Sequence, residues 1–215
     1  MKLDNILYED NHILVVIKEP NMLVQEDNTN DLDMVNLIKN YLKEKYNKPG
    51  NVYLGLVHRL DRPVGGLMIF AKTSKAAKRL SEDFKKSKIT KKYIALVHGE
   101  TKDKDTLIDY LIKDNKTNTS RISKIGKEAI LDYIRLNYKD NFSLIEVNLK
   151  TGRHHQIRVQ LSNIGNPIYG DQRYGIDEIG IQIHLYASGL EFIHPIKKEL
   201  MTFSHYPNWY YKYIK

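Results

Sequence analysis

An aspartate set among arginines, Arg59-Leu60-Asp61-Arg62, stands just before Pro63 and the pair Gly65-Gly66. A carboxylate in such a place can serve as nucleophile or base, and nearby guanidinium groups favour its ionised form. A plainer role is open to the same residues. Asp61 would then cap the turn before Pro63 and pair on the surface with Arg59 or Arg62, a contact worth about 0.2–1 kcal/mol. A second cluster, Arg153, His154, His155 and Arg158, gathers cationic or potentially cationic groups in six residues. Adjacent histidines raise the question of a metal. Neighbours one apart point to different faces of a helix, however, and no carboxylate accompanies them in the pattern, so no metal is expected. Tyr93, in Lys91-Lys92-Tyr93-Ile94-Ala95-Leu96-Val97-His98-Gly99, reads on its own as a half-buried aromatic of an alternating strand.

These groups need a scaffold, and hydrophobic periodicity outlines one. Ile6 to Asp10 and Ile13 to Lys18 are short and rich in β-branched residues, which predicts a hairpin turning at Asn11-His12. Asn30 and Asp33 are candidate caps for a helix carrying Leu32, Val35, Ile38 and Leu42 and ending at Lys48-Pro49-Gly50-Asn51. Around Asp61, Leu54 to Val57 reads as the end of a strand, Pro63 with Gly65-Gly66 as a sharp turn, and Leu67 to Ala71 as a buried strand. Ser74 can cap a second helix with Ala77, Leu80 and Phe84 on one face. Thr101 to Lys127 is polar and lysine-rich, and its composition predicts a mobile insertion at the rim of a cleft. Ala129 to Leu136 and Phe142 to Leu149 predict an antiparallel hairpin. Gly152 marks a turn before a short helix bearing Ile157, Leu161 and Ile164. Short strands with a few helices, in no regular alternation, indicate an α+β fold with a mostly antiparallel sheet.

The string H-R-L-D-R-P-V-G-G-L-M-I-F-A-K-T at His58 to Thr73 resembles the central motif of the RluA-type pseudouridine synthases, H-R-L-D-x-x-T-S-G-L-L-L-F-A-K-T. Val64 and Gly65 replace the common Thr and Ser. T-G-R-H-H-Q-I-R-V-Q at Thr151 to Gln160 resembles the second motif, T-G-R-T-H-Q-I-R-V-H, with His154 for the common Thr or Ser and Gln160 for the common His. Gly165 to Gly175 matches G-x-P-I-x-G-D-x-x-Y-G, and His184 to Pro195 resembles L-H-A-x-x-L-x-F-x-H-P. Lys18-Glu19-Pro20-Asn21 is a weaker match to K-P-x-G. The resemblance runs from Tyr8-Glu9-Asp10 to His194-Pro195, and its motifs stand in the expected order.

The resemblance implies isomerisation of specific uridines to pseudouridine in ribosomal or transfer RNA. Asp61 would be the catalytic carboxylate, as nucleophile or as proton acceptor. Tyr93 would lie beside the uracil, Arg158 would pair with the aspartate, and Arg59 would assist in substrate binding. It also implies a bent mixed sheet with flanking helices and a central active-site cleft, and no cofactor. A single catalytic domain over residues 1–215 is expected, without the N-terminal RNA-binding domain that many relatives carry. Two other functions fit parts of the pattern. A non-catalytic RNA-binding protein would retain the cleft and make no product, and a nucleosidase would release free uracil.

Composition agrees with this. The net charge of +8 and pI near 9.3 suit a polyanionic partner, and the fifteen tyrosines suit base stacking as well as core packing. With no cysteine, disulfide and thiolate chemistry are excluded. No run of about 18 apolar residues or signal-peptide pattern is present, so a cytoplasmic protein without a membrane partner is expected, as a monomer. His184 and His194 are expected to be packing and hydrogen-bonding histidines. Tyr206 to Lys215 reads equally as a docking helix or a stacking surface.

Overall fold

The computed structural model describes residues 5–27, 29, 31–177 and 179–215. The elements are β1 (Ile6–Glu9), β2 (Ile13–Lys18), α1 (Met34–Lys45), β3 (Gly55–Leu56), β4 (Gly65–Ala71), α2 (Ser74–Lys85), β5 (Thr90–His98) and β6 (Lys104–Asp114). They continue with β7 (Thr119–Ile122), β8 (Lys127–Lys139), β9 (Phe142–Leu149), α3 (Gln156–Asn163), β10 (Leu185–Ile193), β11 (Leu200–Ser204) and α4 (Tyr210–Tyr213). The architecture is α+β with a mostly antiparallel sheet. The chain forms two compact units, one of residues up to Ile89 with Leu190–Ser204, the other of Thr90–Gly189 with His205–Lys215.

In the first unit the strand order is β1-β2-β4 followed by the second half of β10, with β11 beside β10 and β3 beside β4. β2 and β4 are buried along their whole length. They pair antiparallel from Ile13 opposite Ala71 to Lys18 opposite Gly66. An almost unbroken apolar run is what a strand covered on both faces requires. Met34, Ile38 and Leu42 of α1 and Ala76 and Leu80 of α2 are buried with them, and full burial of each larger side chain contributes about 1.5–3 kcal/mol. Gly65 and Gly66 belong to β4 and not to the turn, because pairing with β2 extends the strand back to them. Asp33 caps α1, accepting from the Asn36 N–H at 3.0 Å; Asn30 lies outside the described residues, as do the first four. The cap of α2 is Thr73, one residue before the expected Ser74: its backbone is extended and its hydroxyl accepts from the Ala76 N–H.

A buried acid ties β1 to α1 and to the end of β4. Glu9 accepts from Tyr41 and Lys45 on one oxygen, at 2.9 and 2.8 Å, and from Tyr46 and Lys72 on the other, at 2.7 and 2.6 Å. Burial alone would push this carboxyl up, but the hydrogen bonds from Lys45, Lys72 and the two phenols hold it at about 2. The folded value lies below the unfolded one, so the stabilisation is complete above the ordinary glutamate range and is lost as pH falls from about 4.5 to about 2. Glu9→Gln is therefore expected to flatten the decline of the melting midpoint across that window, and superimposable wild-type and variant profiles would refute the assignment.

In the second unit the first half of β10 is followed in order by β5-β9-β8-β6-β7. β5 pairs with β9 from Lys92 opposite Asn148 to His98 opposite Phe142, and β8 pairs with both β9 and β6. A bulge between Arg135 and Asn137 bends β8, as an extra residue in one strand does. The Asn137 amide there donates to the Tyr213 carbonyl at 2.7 Å. Tyr213 packs on Ile94, Leu96 and Leu144, with Tyr206, Trp209 and Tyr210 around it. The C-terminal tyrosines thus dock α4 onto the sheet. The segment expected to be a mobile insertion is instead the β6–β7 hairpin paired to β8. Leu107 and Leu111 are buried while Thr106, Ile108 and Tyr110 are exposed, so the alternation of a strand is present within its polar composition.

Candidate active site

Asp61 sits on a tight turn in the first unit, where its carbonyl accepts the Val64 N–H at 3.0 Å. Val64 is buried and Gly65 begins β4, so the backbone closes this turn without the hydroxyl residues common in the family. The side chain of Asp61 is half-buried, whereas Arg59 is exposed. The Arg62 guanidinium donates to Asp31 at 2.6 Å and to the Asn21 carbonyl at 3.3 Å. His58 anchors the segment from the other side. Its Nε2 accepts the Ile69 N–H at 3.0 Å, which fixes the proton on Nδ1, and its ring stacks on Phe84 at 4.6 Å.

Beneath the turn lies a group that was not among the residues expected at the site, although it begins the weakly matching Lys18-Glu19-Pro20-Asn21 string. Lys18, at the end of β2, is fully buried, and its ammonium donates to the carbonyls of Arg62 at 2.9 Å and Glu19 at 3.0 Å. Burial brings its pKa down to about 7, and the negative charge of Asp61 opposes that fall. Lys18 thus both pins the backbone beside Asp61 and presents a charge to it. A lysine closing an apolar strand looks in sequence like an exposed terminus, and only pairing between β2 and β4 buries it.

Tyr93 and Arg158 belong to the second unit. Tyr93 is half-buried on β5, opposite Val147. Its neighbour Lys91 has its pKa lowered by burial, and the Lys91 ammonium lies 3.6 Å from where a Cβ on Gly152 would be. The turn into α3 is built by local hydrogen bonds. Gln156 accepts from the Thr151 hydroxyl at 2.7 Å and the Arg153 N–H at 3.0 Å, and donates to the Ile130 carbonyl. His155 takes the left-handed conformation at φ 53°, which turns the chain sharply into the helix. Gln160, one of the departures from the family pattern, is buried and bonds Asp109 and the Ala129 carbonyl, joining α3 to β6 and β8.

Arg158 projects from α3 into a bidentate pair with Asp171, Nε to Oδ2 and Nη2 to Oδ1 both at 2.7 Å. Burial alone would push the Asp171 carboxyl up; Arg158, with the N–H groups of Arg173 and Tyr174, outweighs it and holds the carboxyl below its ordinary range. The Tyr174 ring lies under the guanidinium at 5.2 Å. Its hydroxyl accepts the Ser120 N–H at 2.7 Å and contacts His155 Nδ1 at 2.8 Å. Asp171 and Tyr174 were not among the residues expected at the site; the G-D-Q-R-Y-G string that holds them was the available signal. His184 and His194 are packing groups. His184 lies between Tyr169 and Trp209, and His194 Nδ1 accepts the Ile196 and Lys197 N–H groups. Among the described residues, no group of three or more His, Asp or Glu is arranged to hold a metal ion, and no helix is long and apolar enough to cross a membrane.

Comparison with known proteins places this geometry. The chain is 36% identical over 208 residues to ribosomal large subunit pseudouridine synthase C of Buchnera aphidicola subsp. Baizongia pistaciae, covering 90% of this chain and 64% of that protein. It is 33% identical over 214 residues to ribosomal large subunit pseudouridine synthase D of Zymomonas mobilis, covering 92% and 67%. The fold is similar to that of human RNA pseudouridylate synthase domain containing 4, with a TM-score of 0.81 at 22% identity, covering 97% of this chain and 90% of that one. The profile of the RNA pseudouridylate synthase family matches residues 12–163, a stretch that carries the Asp61 turn, the Tyr93 strand and Arg158. On that match and those identities, this chain belongs to the RNA pseudouridylate synthase family, in its RluA-type branch.

Proposed function

We propose that the chain isomerises uridine to pseudouridine in large-subunit ribosomal RNA, with Asp61 as its catalytic carboxylate. The observation that carries this reading is the Asp61 turn itself. A carboxylate is held on a backbone-closed turn over a buried ammonium, within the stretch that the family profile matches. The named relatives C and D supply the substrate class. The isomerisation breaks the bond from the ribose to N1 of uracil, turns the ring, and forms a bond to C5; the C5 proton leaves and N1 regains one. Atoms and oxidation level balance within the nucleoside, so the demands fall on charge and position.

Asp61 attacks the ribose or takes a proton from it. Tyr93 stacks on the uracil, a contact worth about 1–3 kcal/mol. Arg158 and Arg59 contribute positive charge toward the carboxylate and the RNA backbone. The target nucleotide must leave its stack, at a cost of a few kcal/mol that phosphate contacts offset. The cytoplasm is where we place the reaction.

Incubation of the purified chain with an unmodified large-subunit ribosomal RNA transcript, followed by chemical mapping, is expected to show pseudouridine at one or a few uridines. A transfer RNA transcript serves as the comparison. Free uracil in place of the isomer would identify a nucleosidase, and binding without conversion would identify an RNA-binding protein; either result overturns the proposal.

A further inference from the structure

The second unit has a cavity of about 390 Å³ between the base of the β6–β7 hairpin and the turn before α3, lined in part by Lys113, Lys127, Arg153, His154, Ile112 and Ile125. We propose that this cavity seats one nucleotide of the RNA outside the target uridine, its phosphate toward Lys113, Lys127 and Arg153, its base or ribose against Ile112, Ile125 and His154. The assignment rests on the chain acting on RNA.

The charge of the wall selects the ligand class. Three of its side chains are cationic and none is a carboxylate. Neighbouring acids turn elsewhere: Asp114 accepts the Lys116 N–H at 2.8 Å, and Glu128 follows Lys127 in β8, where successive side chains take opposite faces. The Glu128 carbonyl instead accepts Arg153 Nε at 2.7 Å, which fixes the guanidinium at the rim. Cationic side chains at fixed positions are what hold nucleic-acid phosphates.

The rest of the wall suits the nonionic part of a nucleotide. Ile125 is 84% exposed and gives the cavity wall an apolar surface beside Ile112. The loop that carries it lies close against β6, because a Cβ on Gly126 would meet the Leu111 backbone at 2.6 Å. His154 is oriented by the Ser120 hydroxyl at Nδ1, 2.9 Å, and by stacking on His155 at 3.8 Å between ring centres. Its imidazole offers a flat ring, a surface on which a base can rest. The volume falls in the range of about 300–1,000 Å³ usual for small-molecule sites.

The test is titration of the whole chain with the trinucleotide UpUpU, following the His154 imidazole proton by NMR, with inorganic phosphate and uridine as controls. The signal is assigned by its disappearance in His154→Ser. UpUpU is expected to shift the signal saturably, and phosphate or uridine at equal concentration is not. In parallel, Lys113→Ala/Lys127→Ala is expected to weaken binding of a single-stranded oligoribonucleotide roughly tenfold and to reduce the slope of log Kd against log salt by about 1.4, two phosphate contacts' worth. Both lysines are exposed, so the double variant should retain the parent's melting midpoint. An unmoved His154 signal, unchanged affinity and salt slope in the lysine variant, or an equal response to phosphate alone would each overturn the nucleotide assignment. None of these results bears on whether the chain forms pseudouridine in a ribosomal transcript, which the mapping experiment decides separately.

Discussion

Asp61→Asn is expected to form pseudouridine at least about 10³-fold more slowly than the parent while binding the same RNA within about threefold, because the loss of a catalytic base or nucleophile is of that order and the amide keeps the shape of the carboxylate. The variant should fold. The Asp61 contact to Val64 is through its backbone carbonyl, which the substitution leaves in place. One local cost is to Lys18: burial already brings its pKa down to about 7, and Asp61 is the first of the charges holding it up. In the variant Lys18 therefore gives up its proton more readily near neutral pH, and its bonds to the Arg62 and Glu19 carbonyls remain available to the neutral amine. Single-turnover conversion on a ribosomal transcript, beside RNA affinity and melting midpoint, separates chemistry from folding. Conversion by the purified variant at near the parental rate would remove Asp61 from the mechanism.

What the sequence made legible depended on whether local pattern or distant contact decides a residue's role. The 13–18 and 142–149 strands and the 156–163 helix follow from periodicity, because their faces are set by the core each packs on. Gly65-Gly66 reads as a turn and is strand, since opposition of Gly66 to Lys18 outweighs glycine's local preference. The 104–122 hairpin was hidden because Asp105 and Asp109 share a face with the buried Leu107 and Leu111, while the exposed face carries Ile108 and Tyr110. Asp61 was noticed for its arginine neighbours, one of which, Arg62, also pairs with Asp31. The roles given to Tyr93 and Arg158 came from resemblance to a family and not from spacing. Lys18 and Asp171 could not have been found by composition, because each acquires its meaning from a partner brought close by strand pairing or by the turn after α3.

The pair of Arg158 with Asp171 carries the largest expected loss of stability. Their side chains are 4% and 0% exposed, so removing one takes from the other a bidentate ion-pair contact inside the core. Such breaks cost about 3–5 kcal/mol, or about 6–20 °C in melting midpoint for a chain of this size. Arg158→Met and Asp171→Leu should each show a loss of this order. The double variant should recover much of it, since replacing a whole buried pair by apolar groups is often neutral or better. Activity separates a structural arginine from one that also acts on the substrate. If Arg158 only holds Asp171 and the turn leading to Tyr174, the double variant regains both stability and conversion. The proposed contribution to substrate charge predicts stability without conversion. Recovery of pseudouridine formation to within tenfold of the parent would therefore reduce Arg158 to a strut, even with Asp61 intact as the catalytic carboxylate.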